Sequence, residues 1–152
     1  MEPYDSFKDT KDHILRVEEL LYKCIGNLKT RSAIHDASKL IEPEKSAFDK
    51  CIPKLKDFTY GSPEYKASLK ELGPALEHHY KENKHHPEHW LNGIKEMSLF
   101  DIMEMLMDWK AATERMKDGG DIWKSIKINR ERYLISDQLY NILKNTAKEM
   151  GW

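Results

Sequence analysis

Seven histidines lie between positions 13 and 89, and none follows. They stand in three places: His13 alone, His35-Asp36 within HDASKL, and His78-His79 with His85-His86 and His89 within HHYKENKHHPEH. A further acid, Asp108, sits in the apolar stretch MLMDWKAAT. Imidazole and carboxylate donors together suit Zn, Mn, Fe or Co. The expected chemistry is therefore that of one or two divalent transition metals. Positions three, four and seven apart share one face of a helix. On that basis His79, Asn83 and His86 form one row, and His78, Glu82 and His85 a second. Asp108 lies one turn after Glu104 and borders the apolar Met105. Like charges at that spacing cost an isolated helix roughly 0.2–0.5 kcal/mol. A buried carboxylate also needs a partner, and a cation would supply one.

The elements that must position these residues read as all-α. Val17 is the only valine, against fifteen leucines and seven methionines, so helix formers far outweigh strand formers. A first helix is expected over Asp9 to Lys29, with Ile14, Val17, Leu21, Cys24 and Leu28 as its apolar stripe. A short helix follows over Arg31 to Leu40. Pro43 opens the next, whose end Pro53 disturbs. Ser62-Pro63-Glu64 reads as a helix start after the loop Thr59-Tyr60-Gly61, and Gly73 as its stop. Pro74 begins the helix that carries His78 and His79 and ends near His86, because Pro87 disfavours helical geometry before it. Ser98 caps a long helix with Asp101 in its first turn. Its buried face is Ile102, Met105, Leu106, Trp109, Ala112 and Met116, and Gly119-Gly120 ends it. Two more helices are expected, Asp121 to Tyr133 and Ser136 to Met150.

The 152 residues suit a single domain spanning 1–152. A mean hydropathy of −0.76 without a long apolar run excludes a membrane-spanning helix. The polar start resembles no targeting peptide. Two cysteines, Cys24 and Cys51, fit a reducing cytosol, so a cytoplasmic location is expected. A net charge of −1 leaves no electrostatic footprint for nucleic acid or anionic lipid.

His13, then HDASK, then the paired histidines, then a helical Asp108 resembles the HD-domain superfamily of metal-dependent phosphohydrolases. HDASK is similar to that superfamily's HD-x-G-K, with Ser38 for glycine and Lys39 kept. His85-His86-Pro87-Glu88, Ser98-Leu99 and Asp108 nine residues after Leu99 resemble its two-metal cyclic-dinucleotide phosphodiesterase branch, whose Gly-Tyr-Pro signature is absent here. Ala112-Thr113 and Arg115 echo that branch after its Asp. HDxSKL, YGSxEY and HHYxxNxHHPEH also resemble a group of small uncharacterised bacterial and phage proteins. The superfamily resemblance implies an HD-like helical bundle and the metal ligands His13, His35, Asp36, His79, His85, His86 and Asp108. His78 is the alternative to His79, and Asp101 to Asp108.

The implied activity is hydrolysis of a phosphoester, of a nucleotide or similar small molecule, by attack of metal-bound hydroxide. Asp36 would bridge two ions. His13, His35 and Asp108 would complete one, and His79, His85 and His86 the other. Lys39 would meet a phosphate oxygen, with Arg31, Lys84 or Arg115 as further cations, and Asn83 or Glu82 would orient water or the leaving group. A homo-oligomer is compatible with the chain. Two other readings compete: a di-iron oxygenase in the same kind of cage, and a non-enzymatic helical interaction protein whose histidines are structural.

Overall fold

A computed structural model of the chain describes residues 4–55, 57–59, 61–115 and 120–152. Among these, seven α-helices and no strand occur, as the scarcity of β-branched residues predicts. None of the helices is long and apolar enough to cross a membrane. The chain divides into two compact units, Met1–His35 and Asp36–Trp152.

The first unit is essentially one helix, α1 (Phe7–Ile34). It overruns the expected end at Lys29 because nothing breaks it there. Thr30 and Ser32 return their hydroxyls to the carbonyls of Gly26 and Lys29, at 3.2 and 2.8 Å. His35 then turns extended, with ψ 125°. No separate helix covers Arg31 to Leu40; a 3-10 turn over Ala37–Leu40 takes its place.

The second unit contains α2 (Glu44–Leu55), α3 (Pro63–Glu71), α4 (Gly73–Glu82), α5 (Leu99–Glu114), α6 (Ile122–Arg132) and α7 (Asp137–Glu149). Two apolar cores hold it together. Met105, Leu106 and Trp109 of α5 pack with Ile122 and Ile126 of α6 and Leu143 and Ala147 of α7. Fully burying a side chain such as Leu106 or Ile126 contributes about 1.5–3 kcal/mol. A smaller core joins Phe48 and Cys51 of α2 to Leu72. The expected buried face of α5 thus holds at Met105, Leu106 and Trp109, while Ile102 and Ala112 are half-buried and Thr113 is buried. Met116, Gly119 and Tyr60 lie outside the described residues.

Helix starts follow local chemistry. Ser62, Asp121 and Ser136 each accept a backbone N–H of the helix they precede. Ser98 and Asp101 form a reciprocal capping box on α5, with Ser98 N–H donating to Asp101 at 2.8 Å. Ser98→Ala is expected to lower the unfolding free energy by about 1 kcal/mol, read from urea denaturation. An unchanged midpoint would show that the box carries no stability.

The end of α4 differs from expectation. It stops at Glu82, a full turn before His86. Asn83 is extended (φ −116°, ψ 105°), and its own amide donates to the His79 carbonyl at 2.8 Å. Pro87 keeps His86 extended as well, with ψ 127°. His85 and His86 therefore belong to a turn, and the two helical rows proposed through them do not exist.

That turn is pinned from several directions. Glu88 accepts from Arg132 at 2.6 Å and from the Tyr133 hydroxyl at 2.9 Å, both at the end of α6. Trp90 donates its indole N–H to the Lys84 carbonyl at 2.9 Å. His89 lies 3.1 Å from the Tyr80 carbonyl.

Candidate metal centre

Asp36 opens the second unit in the left-handed conformation (φ 56°, ψ 17°). Non-glycine residues pay for that geometry, Asp and Asn least, and such strain gathers at functional sites. The turn aims the two carboxylate oxygens apart. Oδ2 takes the Lys39 ammonium at 2.6 Å. Oδ1 lies 3.3 Å from His79 Nε2 and 3.4 Å from His85 Nε2.

Three imidazoles converge there. His79 comes from α4 and is 1% exposed; His85 comes from the turn and is 2% exposed. His79 Nε2 and His86 Nε2 stand 2.9 Å apart. Such a pair is satisfied by a proton on one of them or by one cation between them. Ligand atoms of Asp36, His79, His85 and His86 all lie within 4.8 Å of one another. Asp108 of α5 places a carboxylate oxygen within 4.8 Å of one of Asp36, and Glu104 does the same with His85. These groups can hold a metal ion.

Two acids that the sequence reading did not single out as site residues support the histidines from behind. Glu44 of α2 is wholly buried. Its carboxylate meets His78 Nδ1 at 2.8 Å and His79 Nδ1 at 2.9 Å, and accepts from Ser38 at 3.0 Å. Glu104 of α5 lies 3.2 Å from His85 Nδ1. Glu104 was visible as an acid one turn before Asp108. Glu44 had no local signal, because the two histidines it serves lie more than thirty residues away.

The electrostatics follow from burial and these neighbours. Burial works against the Glu44 anion, but hydrogen bonds from His78, Ser38 and His79 outweigh it and hold its pKa below the usual range. Burial and the Lys39 charge lower His79. Burial, then the neighbouring His85 and His79, push His86 down to about 3. Burial opposes charge on His85 too, yet Asp36, Glu104 and Asp108 raise its pKa overall.

The remaining expected site residues fall as follows. His13 lies exposed in the body of α1. It and His35 are at opposite reaches of one unbroken helix, about 33 Å apart at 1.5 Å per residue. The expectation that both ligate one ion within a chain is corrected: helix length forbids it. His35 caps the C-terminal end of α1 and is half-buried. His78 turns to Glu44 rather than to the cluster. Asp101 is committed to capping α5 and, among the described residues, belongs to no candidate ligand group. Lys39 is held by Asp36 and lies over the Phe48 ring at 5.0 Å. Asn83 donates to Ser38 and to the His79 carbonyl, both at 2.8 Å, and so braces the cluster.

Fold and site together define an all-helical protein with a buried histidine–carboxylate cluster able to hold a cation. The chain belongs to a family of unknown function, DUF5662, whose model matches residues 2–149. No curated protein and no solved structure matches it.

Proposed function

We propose that the protein is a metal-dependent phosphohydrolase of the HD type, acting on a small phosphoester such as a nucleotide. The observation that carries this reading is the convergence of Asp36, His79, His85 and His86, with all four ligand atoms within 4.8 Å of one another. The surroundings fit a cation. Asp36, Glu44, Glu104 and Asp108 supply four carboxylates, and the Lys39 ammonium pairs with Asp36. Three borderline nitrogen donors beside carboxylate oxygen favour Mn, Fe, Co or Zn over Mg or Ca.

A bound divalent ion supplies Lewis acidity and a water nucleophile available near neutral pH. The chain's own residues then divide the remaining work. Asp36 would offer Oδ1 as a ligand and holds Lys39 with Oδ2. Lys39 can swing from Asp36 to a phosphoryl oxygen without leaving the site, since its stem is flexible and its charge compact. Ser38 and Asn83 brace His79 and fix the floor. Were a second ion bound, Asp36 and Asp108 would be the carboxylates of the second unit available to hold it.

The test is metal analysis of the purified protein, followed by a screen of phosphomonoesters, phosphodiesters and nucleotides with added Mn, Fe, Co or Zn. Metal-dependent release of phosphate or nucleotide supports the reading. A chain that takes up none of these ions overturns it. Oxygen consumption by an iron-loaded protein, without phosphoester turnover, would replace it with the oxygenase.

A further inference from the structure

We propose that Glu44 is the positioning residue of this centre, setting which nitrogen of His79 carries the proton. The proposal rests on reading the cluster as a cation site. A carboxylate can only accept hydrogen bonds, so the Nδ1 that faces Glu44 at 2.9 Å must be the protonated one. Asn83 also approaches Nδ1, at 3.1 Å. Its two amide protons, however, go to Ser38 and the His79 carbonyl, and leave Nδ1 to Glu44. His79 Nε2 is thereby left as a bare lone pair, directed at Asp36 and His86.

Glu44 itself cannot turn away. His78 occupies Oε1, and Ser38 and His79 share Oε2. These three anchors come from the turn after Asp36 and from α4. The Asp36 turn and the α4 imidazole are thus registered against each other through one buried side chain of α2. Carboxylates behind a ligating histidine fix its tautomer and ring orientation, and their loss typically costs 10–100-fold in metal affinity.

The test uses Co2+ as the probe, titrated into the full chain in competition with a chromophoric chelator, alongside 15N NMR of the histidine rings. Glu44→Gln keeps the shape but replaces one accepting oxygen with a donor. The expected result is an affinity loss of roughly 10–100-fold, an altered Co2+ visible spectrum and a mixed tautomer at His79. In a His79→Ala background the same substitution should change affinity by less than about twofold, because the coupled partner is gone. Wild-type affinity and an unshifted tautomer in Glu44→Gln overturn the proposal while leaving the cation site standing. A wild-type chain that binds no Co2+, or His79→Ala binding as wild type does, removes the cation reading and the proposal with it. If circular dichroism shows Glu44→Gln unfolded, Ser38→Ala carries the test. It removes one anchor, and a few-fold loss of affinity with the same tautomer change is expected; no change in either overturns the proposal.

Discussion

Asp36→Asn abolishes cation uptake and, with it, any phosphoester turnover of the kind proposed above: that is the outcome expected of the single most damaging conservative substitution in this chain. Asp36 Oδ1 lies 3.3 Å from His79 Nε2 and 3.4 Å from His85 Nε2, and an amide there loses the negative charge that a divalent ion needs. Losing a residue that merely supports a ligand costs 10–100-fold, so losing this one should exceed roughly a hundredfold. Asparagine is the informative replacement because it tolerates the left-handed backbone that Asp36 adopts. The melting temperature without added metal should therefore stay close to that of the wild type. Asp36→Gly serves as the companion. It relieves the backbone cost of about 1 kcal/mol but also removes the ligand, so turnover should vanish from a protein no less stable. Retention of metal and activity in Asp36→Asn would show that the histidine cluster does not need this carboxylate.

Acidification is expected to release the ion, and binding should displace a proton from His85 wherever that imidazole is charged. The cation needs all three imidazoles neutral. His79 and His86 have lowered pKa values and are already neutral at pH 7. His85 is raised by Asp36 and Glu104 despite its burial, so it is the one that must give up a proton. Below its pKa, affinity should fall by roughly tenfold per pH unit.

Stability follows with opposite signs for the two kinds of histidine. The raised His85 stabilises the metal-free fold below the unfolded value of about 6.5, and that contribution is lost as pH rises through its folded value. His79 and His86 destabilise the fold as pH falls from about 6.5 toward their lower folded values. Below about pH 6.5 the His85 contribution is already complete and of these three histidines only His79 and His86 still change, so their effect should be a loss of stability as pH falls. Calorimetric titration of metal in buffers of different ionisation heat measures the released proton directly. An affinity independent of pH would mean that these imidazoles are not the ligands.

Much of this architecture was legible in the residues. The caps at Ser62 and Ser98, the stripe of Met105, Leu106 and Trp109 and the all-helical composition depend on neighbours within a few positions, and such information is local. The end of α4 was not legible, because the periodicity of His78, Glu82 and His85 argues for more helix while Asn83 and Pro87 argue against it. The structure resolves that conflict by placing His85 and His86 on a turn. His13 misled for another reason: the order of residues along a chain carries no measure of distance, and an unbroken helix keeps it far from His35. Glu44 escaped notice because its importance is made entirely by partners from the Asp36 turn and from α4.

The Glu88 clamp gives the turn a dependence on α6. Its anchors, Arg132 and Tyr133, stand more than forty residues downstream of His85 and His86 and act on the turn through Glu88. Variation at those two positions can loosen or tighten the grip on a cation while every donor atom stays unchanged. Relatives with the same histidines and acids can therefore differ in how tenaciously they keep their ion, and a catalogue of ligands alone would not reveal it.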